Sequence, residues 1–325
     1  MKILGIGNAL VDILAKLNSD ELLNELNLPK GSMNLIDVKM RDKVFGKLQD
    51  LSYKITTGGS AGNTCLALAH MSVPVGFIGK VGDNEYGKFY IEEFARAGVT
   101  PHFIHVDNNH TGTAMTLISP DGERTFGTYL GVAAELQNSE LNKSTFPEYT
   151  HFYIEGYLVQ NHELIEGSLA LAKVSGLKTA IDLASYNIVE EEKEFLLYLI
   201  DNYVDIVFAN EEEAKALTGK EPVEAVVEIG RKVEISVVKT GSKGSYVMNN
   251  EGMVHVPVEQ MVSPVDTTAA GDYYAAGFFY GIQQDKNMEQ CARLGSLLAR
   301  EIIQVVGTKL STDCWSAIRE HARRI

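Results

Sequence analysis

The sequence predicts an α/β fold, a doubly wound and mostly parallel sheet flanked by helices, with a small β-sheet lid formed by two insertions. Three observations predict it. Short apolar runs alternate with segments of helical periodicity along most of the 325 residues, which implies parallel strands joined by crossover helices. Two stretches break that rhythm with strand-like segments and little helix, which suits a separate antiparallel sheet. Two turns rich in small residues, at 58–63 and 266–272, lead directly into helical patterns.

In order along the chain, residues 3–7 form a short apolar strand ending in glycines. Residues 11–16 and 33–36 read as short strands separated by a helix over 19–26. Asp37 is placed to cap a helix in which Met40, Val44, Phe45, Leu48 and Leu51 recur at helical spacing. A strand at 55–57 enters the first glycine turn, and a helix over 64–71 leaves it. Residues 75–80 read as a buried strand, and 86–97 as a helix closed by Gly98, where positive φ costs glycine little. Residues 102–106, 113–119 and 124–129 read as consecutive strands, with Pro120-Asp121-Gly122 as the hairpin turn. Beyond Leu130 come strands at 152–155, 179–182, 204–209 and 235–240, and helices at 163–175, 191–202 and 211–217. The tail from Gly271 is almost wholly helical. The main domain is therefore assigned to 1–10, 38–100 and 131–325, and the lid to 11–37 and 101–130. There is no internal repeat, low-complexity tract or interdomain linker.

Composition narrows the partners. Hydrophobic residues at 45% and charged residues at 22% are ordinary for a globular chain long enough to need no covalent staples. A net charge of −14 disfavours a nucleic-acid or anionic membrane surface, while leaving room for a local basic pocket that holds phosphate. Cys65, Cys291 and Cys314 are odd in number and far apart, which argues against a disulfide framework or zinc site and for a reducing compartment. The apolar run from Ile3 is interrupted by Asn8 and Asp12 with no cleavage signal after it, and no stretch approaches 18 apolar residues. A cytoplasmic protein without a membrane span is expected.

The chemistry concentrates in the two small-residue turns. In Asp266-Thr267-Thr268-Ala269-Ala270-Gly271-Asp272, small residues permit a tight turn, and free amides at a helix start attract an anion. A carboxylate at Asp272 would repel that anion unless it serves as a base for an incoming hydroxyl; a plain helix cap is the other reading. In Gly58-Gly59-Ser60-Ala61-Gly62-Asn63, three glycines allow close backbone approach, and Asn63 offers a donor and an acceptor suited to a sugar hydroxyl. A flexible βα loop is the alternative. Gly5 and Gly7 lack the third glycine of a dinucleotide site, since position 10 is Leu, and no P-loop is present. His102, His105 and His110 read as solvated lid histidines, and Glu190-Glu191-Glu192 as a solvated helix start.

These motifs together resemble the ribokinase-like (PfkB-type) carbohydrate kinases. The turn at 266–272 is similar to the family's second signature. The turn at 58–63, with Gly79-Lys80-Val81-Gly82-Asp83 and Gly87, is similar to the first. Gly7-Asn8-Ala9-Leu10-Val11-Asp12, Asn210-Glu211-Glu212-Glu213 and Lys239-Thr240-Gly241-Ser242-Lys243-Gly244 follow the family's order over essentially the whole chain. Within the family, residues 7–12, Met33-Asn34-Leu35-Ile36-Asp37, Asp121-Gly122-Glu123-Arg124 and Glu155-Gly156-Tyr157-Leu158 look most like the adenosine kinase branch.

The resemblance implies a ribokinase-like fold and an ATP-dependent kinase acting on a primary hydroxyl of a ribose-containing substrate, first of all the 5′-hydroxyl of adenosine. A ribose- or fructose-type sugar kinase and a catalytically silent nucleotide- or sugar-binding relative are its alternatives. It implies that Asp272 is the catalytic base and that the amides of Ala269, Ala270 and Gly271 form an anion hole. Substrate hydroxyls fall to Asn8, Asp12, Gly58, Gly59 and Asn63, Arg124 reaches the phosphates from the lid, and Tyr157 is either a core aromatic or stacks on a base. Asn210, Thr240, Gly241 and Gly244 lie on the ATP side, with Glu213 holding magnesium through water. The implied cofactors are Mg2+, ATP as co-substrate and, near the Asp266 loop, a monovalent cation. The implied state is monomer or homodimer. One departure stands out: the family has glycine where this chain has Ala269, and a positive φ there would cost alanine about 1 kcal/mol or more.

Overall fold

The computed structural model of the chain describes residues 1–48 and 51–325. The first half contains β1 (Ile3–Ile6), β2 (Leu10–Lys16), α1 (Glu21–Leu26), β3 (Met33–Leu35), α2 (Val38–Leu48) and β4 (Tyr53–Gly58). It continues through α3 (Ser60–His70), β5 (Val75–Gly82), α4 (Glu85–Ala97), β6 (Thr100–Val106), β7 (Gly112–Ile118) and β8 (Arg124–Tyr129). The second half opens with β9 (His151–Glu155), α5 (His162–Val174), β10 (Lys178–Asp182), α6 (Tyr186–Glu191), α7 (Lys193–Tyr203) and β11 (Ile206–Asn210). Then follow α8 (Glu211–Thr218), α9 (Pro222–Gly230), β12 (Ile235–Lys239), β13 (Ser245–Asn249) and β14 (Gly252–Val256), and the tail forms α10 (Ala270–Gln283), α11 (Met288–Ile302) and α12 (Thr312–Ala322).

Among the described residues, nine strands form the large sheet in the order β14-β13-β12-β11-β10-β9-β1-β5-β6. From β12 to β6 every pairing is parallel, and the β13–β14 hairpin adds an antiparallel edge. Side chains alternate between its two faces, as a period of two requires. Ile3, Phe77, Tyr153, Phe208 and Val237 pack under α3, α4, α10 and α11. Leu4, Ile78, Phe152, Val207 and Val238 pack under α5, α7, α8 and α9. The neighbours of β1 are β9 on one side and β5 on the other, so chain order reverses there. A crevice opens beyond the strand C-termini at such a point. Those ends carry a row of polar residues: Asn8 just past β1, then Glu155, Asp182, Asn210 and Lys239. Register places Glu155 opposite Asp182 and Asn210 opposite Lys239.

Local signals act as the sequence predicts. The Asp37 carboxylate accepts from the Met40 amide at 2.8 Å, which starts α2. Residues 49 and 50, inside the helix expected there, lie outside the described residues. Gly98 takes φ 86° and closes α4.

Three expectations are corrected. The small sheet, ordered β3-β8-β7-β2-β4, is mixed rather than antiparallel, because β2 runs parallel to β7 and β3 parallel to β8. Its membership also differs from the expected boundaries. Residues 53–58 leave the main domain and pair antiparallel with β2, whereas 100–106 continue the large sheet parallel to β5 after the α4 crossover. His102 and His105 therefore sit on an edge strand of the large sheet, and His102 meets the Tyr149 hydroxyl at 2.7 Å. Finally, Glu190–192 end one helix and precede the next instead of opening a helix, and Glu192 faces His162 at 2.8 Å. All three cysteines are free, and among the described residues no helix is long and apolar enough to cross a membrane.

Candidate active site

The first glycine turn is a helix start, not a flexible loop. Gly59 has φ 83°, and a Cβ on it would lie 2.1 Å from the Asn8 carbonyl oxygen, so only glycine fits. A Cβ on Gly58 would lie 2.1 Å from Asp12 Oδ1, which shows how closely that carboxylate packs on the turn. Helix α3 then begins, and two of its first side chains reach across to α10. Ser60 Oγ donates to Asp272 Oδ1 at 2.7 Å, and Asn63 Nδ2 donates to Asp272 Oδ2 at 2.9 Å. The other end of the Asn63 amide, Oδ1, is buried with no partner among the described residues.

Glu155 anchors this turn to the sheet. One carboxylate oxygen accepts from the Asn8 amide at 2.9 Å and from Asn8 Nδ2 at 2.7 Å, and the other accepts from the Ala61 amide at 2.9 Å. Burial nevertheless holds its pKa above the usual carboxylate range.

The second turn is braced by Asp266. Its carboxylate accepts from the Gly307 amide at 2.6 Å and the Thr268 amide at 2.9 Å, and pairs with Arg124. Arg124 also donates to Thr268 Oγ1 at 3.1 Å, so the small-sheet arginine reaches this loop. Burial disfavours the Asp266 charge, but Arg124 and the two amides outweigh it and hold the group below its ordinary pKa. Ala269 adopts φ 63° and ψ 6°, the left-handed conformation in which alanine is strained. Helix α10 follows, with Asp272 in its first turn. The Ala270 amide turns back on the Thr267 carbonyl at 3.2 Å, whereas the amides of Ala269 and Gly271 have no such partner among the described residues.

A third group comes from the ends of β10, β11 and β12. Asn210 and Glu213 satisfy each other as a capping box at the start of α8. The Asn210 amide and Nδ2 donate to Glu213 at 2.8 and 2.6 Å, and the Glu213 amide donates back at 2.8 Å. Lys239 Nζ donates to Asp182 Oδ2 at 2.8 Å. Thr240 Oγ1 donates to the Gly244 carbonyl at 2.9 Å and is buried behind the turn, whereas Gly241 and Gly244, both at positive φ, face the cavity.

All of this converges on one cavity of about 1040 Å³. Asn8, Asp12, Gly59, Asn63, Arg124, Tyr157, Asn210, Glu213, Gly241, Gly244 and 269–272 line it, and Gly58 and Thr240 do not. Ser60, Glu155 and Lys239, which stand in quoted motifs without an assigned role, and Asp182 also line it. The signal for three of them was positional: Glu155, Asp182 and Lys239 each end a parallel strand, where such folds place ligands.

Crowding of acids tunes the site. Burial, reinforced by Asp182, pushes Asp272 up to about 7 against the pull of Ser60, Asn63 and Lys239. Burial and the charges of Asp272 and Asp266 push Asp12 to about 7, and burial with Asp182 does the same to Glu213. A carboxyl that titrates near neutrality beside free amides at a helix start can accept a proton from a hydroxyl while an anion binds next to it.

Residues 27–314 match the family model described as pfkB family carbohydrate kinase. The crystal structure of adenosine kinase from Sinorhizobium meliloti superposes with a TM-score of 0.88 at 32% identity, covering 99% of both chains. Ribokinase of Haemophilus influenzae is 28% identical over 86% of this chain and 93% of its own length. The 5-dehydro-2-deoxygluconokinase of Bacillus subtilis is 25% identical over 78% of this chain and 83% of its own.

The strain at Ala269 is testable. Ala269→Gly removes a left-handed penalty of about 1–2 kcal/mol and gives back part of it through greater freedom of the unfolded chain. The melting temperature should rise by about 1–3 °C. A fall in scanning calorimetry would contradict the strain.

Proposed function

The chain belongs to the pfkB family of carbohydrate kinases, phosphotransferases that act on hydroxyl groups, and from that premise we propose that it transfers the γ-phosphoryl group of ATP to a primary hydroxyl of a ribose-containing substrate, with the 5′-hydroxyl of adenosine as the leading candidate. The observation that carries the reading is the placing of the Asp272 carboxylate. It is held by Ser60 and Asn63 beside the amides that open α10, in the cavity that Asp12 also lines. Among the described residues each Asp272 oxygen accepts one hydrogen bond and keeps a further lone pair for a substrate hydroxyl. Asp272 takes the hydroxyl proton as the oxygen attacks the γ-phosphorus in line. The bond from that phosphorus to the β-phosphate oxygen breaks, and ADP leaves. The Ala269 and Gly271 amides stabilise the charge that spreads over the transferring group. The unpartnered Asn63 Oδ1 and the Asp12 carboxyl serve ring hydroxyls.

Among the described residues no three His, Cys, Asp or Glu side chains gather as a metal cage. The Glu213 carboxylate on the cavity wall suits a hard ion held through water and by the nucleotide's own phosphates. Magnesium bound in that way would neutralise phosphate charge. A monovalent cation beside the second turn would find the Asp266 carboxylate already shared among Gly307, Thr268 and Arg124. Met33, Leu35 and Phe126 of the small sheet line the cavity, which supports the reading of that sheet as a lid that excludes water from the transfer.

The nucleoside reading draws on the rest of the wall. Leu10, Leu130, Ala133, Tyr157, Leu158 and Leu164 offer apolar surface that a base would cover and a free sugar would leave wet. Full-length similarity to an adenosine kinase points the same way. The ribokinase and 5-dehydro-2-deoxygluconokinase relatives support a second reading, a kinase for a free sugar or sugar acid.

A coupled assay for ADP release, run with adenosine, inosine, ribose, fructose and 5-dehydro-2-deoxygluconate, separates these. Adenosine should give a kcat/KM at least about tenfold above any sugar, a difference of about 1.4 kcal/mol. A sugar as best acceptor would transfer the assignment to the second reading. Because the base must be ionised, and burial raises Asp272 to about 7, kcat/KM should climb as pH rises toward 7 and level off above it. A rate that is flat from pH 5 to 8 would contradict the assignment of the base.

A further inference from the structure

We propose that Lys239 is a catalytic residue whose ammonium grips an oxygen of the transferred phosphoryl group, with Asp182 as the residue that aims it. The inference deepens the kinase reading and rests on it. Lys239 ends β12 and extends into the crevice, where its side chain is 14% exposed and that of Asp182 only 7%. Its Nζ sits beside the start of α10: a Cβ placed on Gly271 would be 3.1 Å from it. The ammonium and the partner-free Gly271 amide therefore converge on one volume of the cavity.

Charge gives the reason for a cation at that point. Asp182, Glu213 and Asp272 all act electrostatically on Lys239, so its surroundings are strongly acidic. A phosphoryl group entering there would meet carboxylates on several sides, and a positive group between them and the phosphate turns that repulsion into binding. The other cations on the cavity wall have commitments. Arg124 is engaged by Asp266 and Thr268, and Arg300 by Gln260 and Glu301. Lys239 Nζ has three donors, and the hydrogen bond to Asp182 uses one.

A purely structural ion pair makes a different forecast, because removing both partners of a buried pair is often harmless, whereas removing one strands a charge. The native 325-residue chain is therefore compared with Lys239→Met and with Lys239→Met combined with Asp182→Asn. The measurements are kcat with the best acceptor, melting temperature, and calorimetric titration with ATP and with ADP. The proposal expects the single variant to lose stability and the double variant to recover it, while both lose about 10²–10³-fold in kcat. Both should also bind ATP several-fold more weakly with ADP affinity within about twofold of native, since ADP lacks the transferred group. Recovery of kcat in the double variant, or equal weakening of ATP and ADP, overturns the proposal. If the native chain transfers phosphate to no acceptor, the kinase reading fails, and the ATP-against-ADP comparison still decides whether Lys239 meets the terminal phosphate. Failure of the native chain to bind ATP overturns both.

Discussion

Two hydrogen bonds to the Asp272 carboxylate, from Ser60 and Asn63, fix the starts of α3 and α10 to a single point. Thr64 Oγ1 adds a third tie, donating to the Asp272 carbonyl at 3.2 Å. Glu155 extends the constraint by clamping Asn8 and Ala61, so β1, β9 and α3 are registered on the same point. On the far side, Arg124 binds the small sheet to Asp266 and Thr268. The cavity therefore owes its shape to polar contacts among its own wall residues, while the apolar layers on both faces of the large sheet supply the rigid backing.

That arrangement has an electrostatic cost. Acidic side chains of Asp12, Asp182, Glu213 and Asp272 share a partly dry space with Lys239 and Arg124, and burial leaves three of them titrating near neutrality. A fold selected only for stability would fill such a crevice with apolar groups. Raised carboxyl pKa values beside free helix-start amides instead suit proton abstraction next to a bound anion. The left-handed Ala269 belongs to the same picture, since backbone strain persists where surrounding contacts over-determine it.

Much of this was legible in the sequence because it rests on local physics. Strand and helix alternation, the Gly98 stop, the Asp37 cap and the two small-residue turns each follow from a few neighbouring residues. The strain at Ala269 followed from one substitution in a motif. What was hidden depended on distant pairing. Tyr53–Gly58 joins the small sheet because β2 presents an open edge, and Thr100–Val106 joins the large one because α4 returns it beside β5. No sustained periodicity marks the β13–β14 hairpin: β13 alternates only over its first four residues, and most of β14 is exposed. Asn210, read as lying on the ATP side, and Glu213, read as holding magnesium through water, form a helix cap in the chain itself, so the same spacing serves local structure first. Glu155 and Lys239 stand in motifs with no role assigned and Asp182 in none, and the three share a place only once register lines up the strand ends.

The central claim is that Asp272 is a base and not merely a tie between the starts of α3 and α10. Asp272→Asn keeps its size, and its amide can still accept from Asn63 and donate to Ser60 Oγ, while it removes the oxygen that accepts the proton. The decisive measurement is kcat for the best acceptor in native and variant chains, with both melting temperatures. The account predicts a loss of about 10²–10⁴-fold in kcat with folding intact and ATP affinity held or improved. A variant that folds normally and keeps most of its kcat would contradict it.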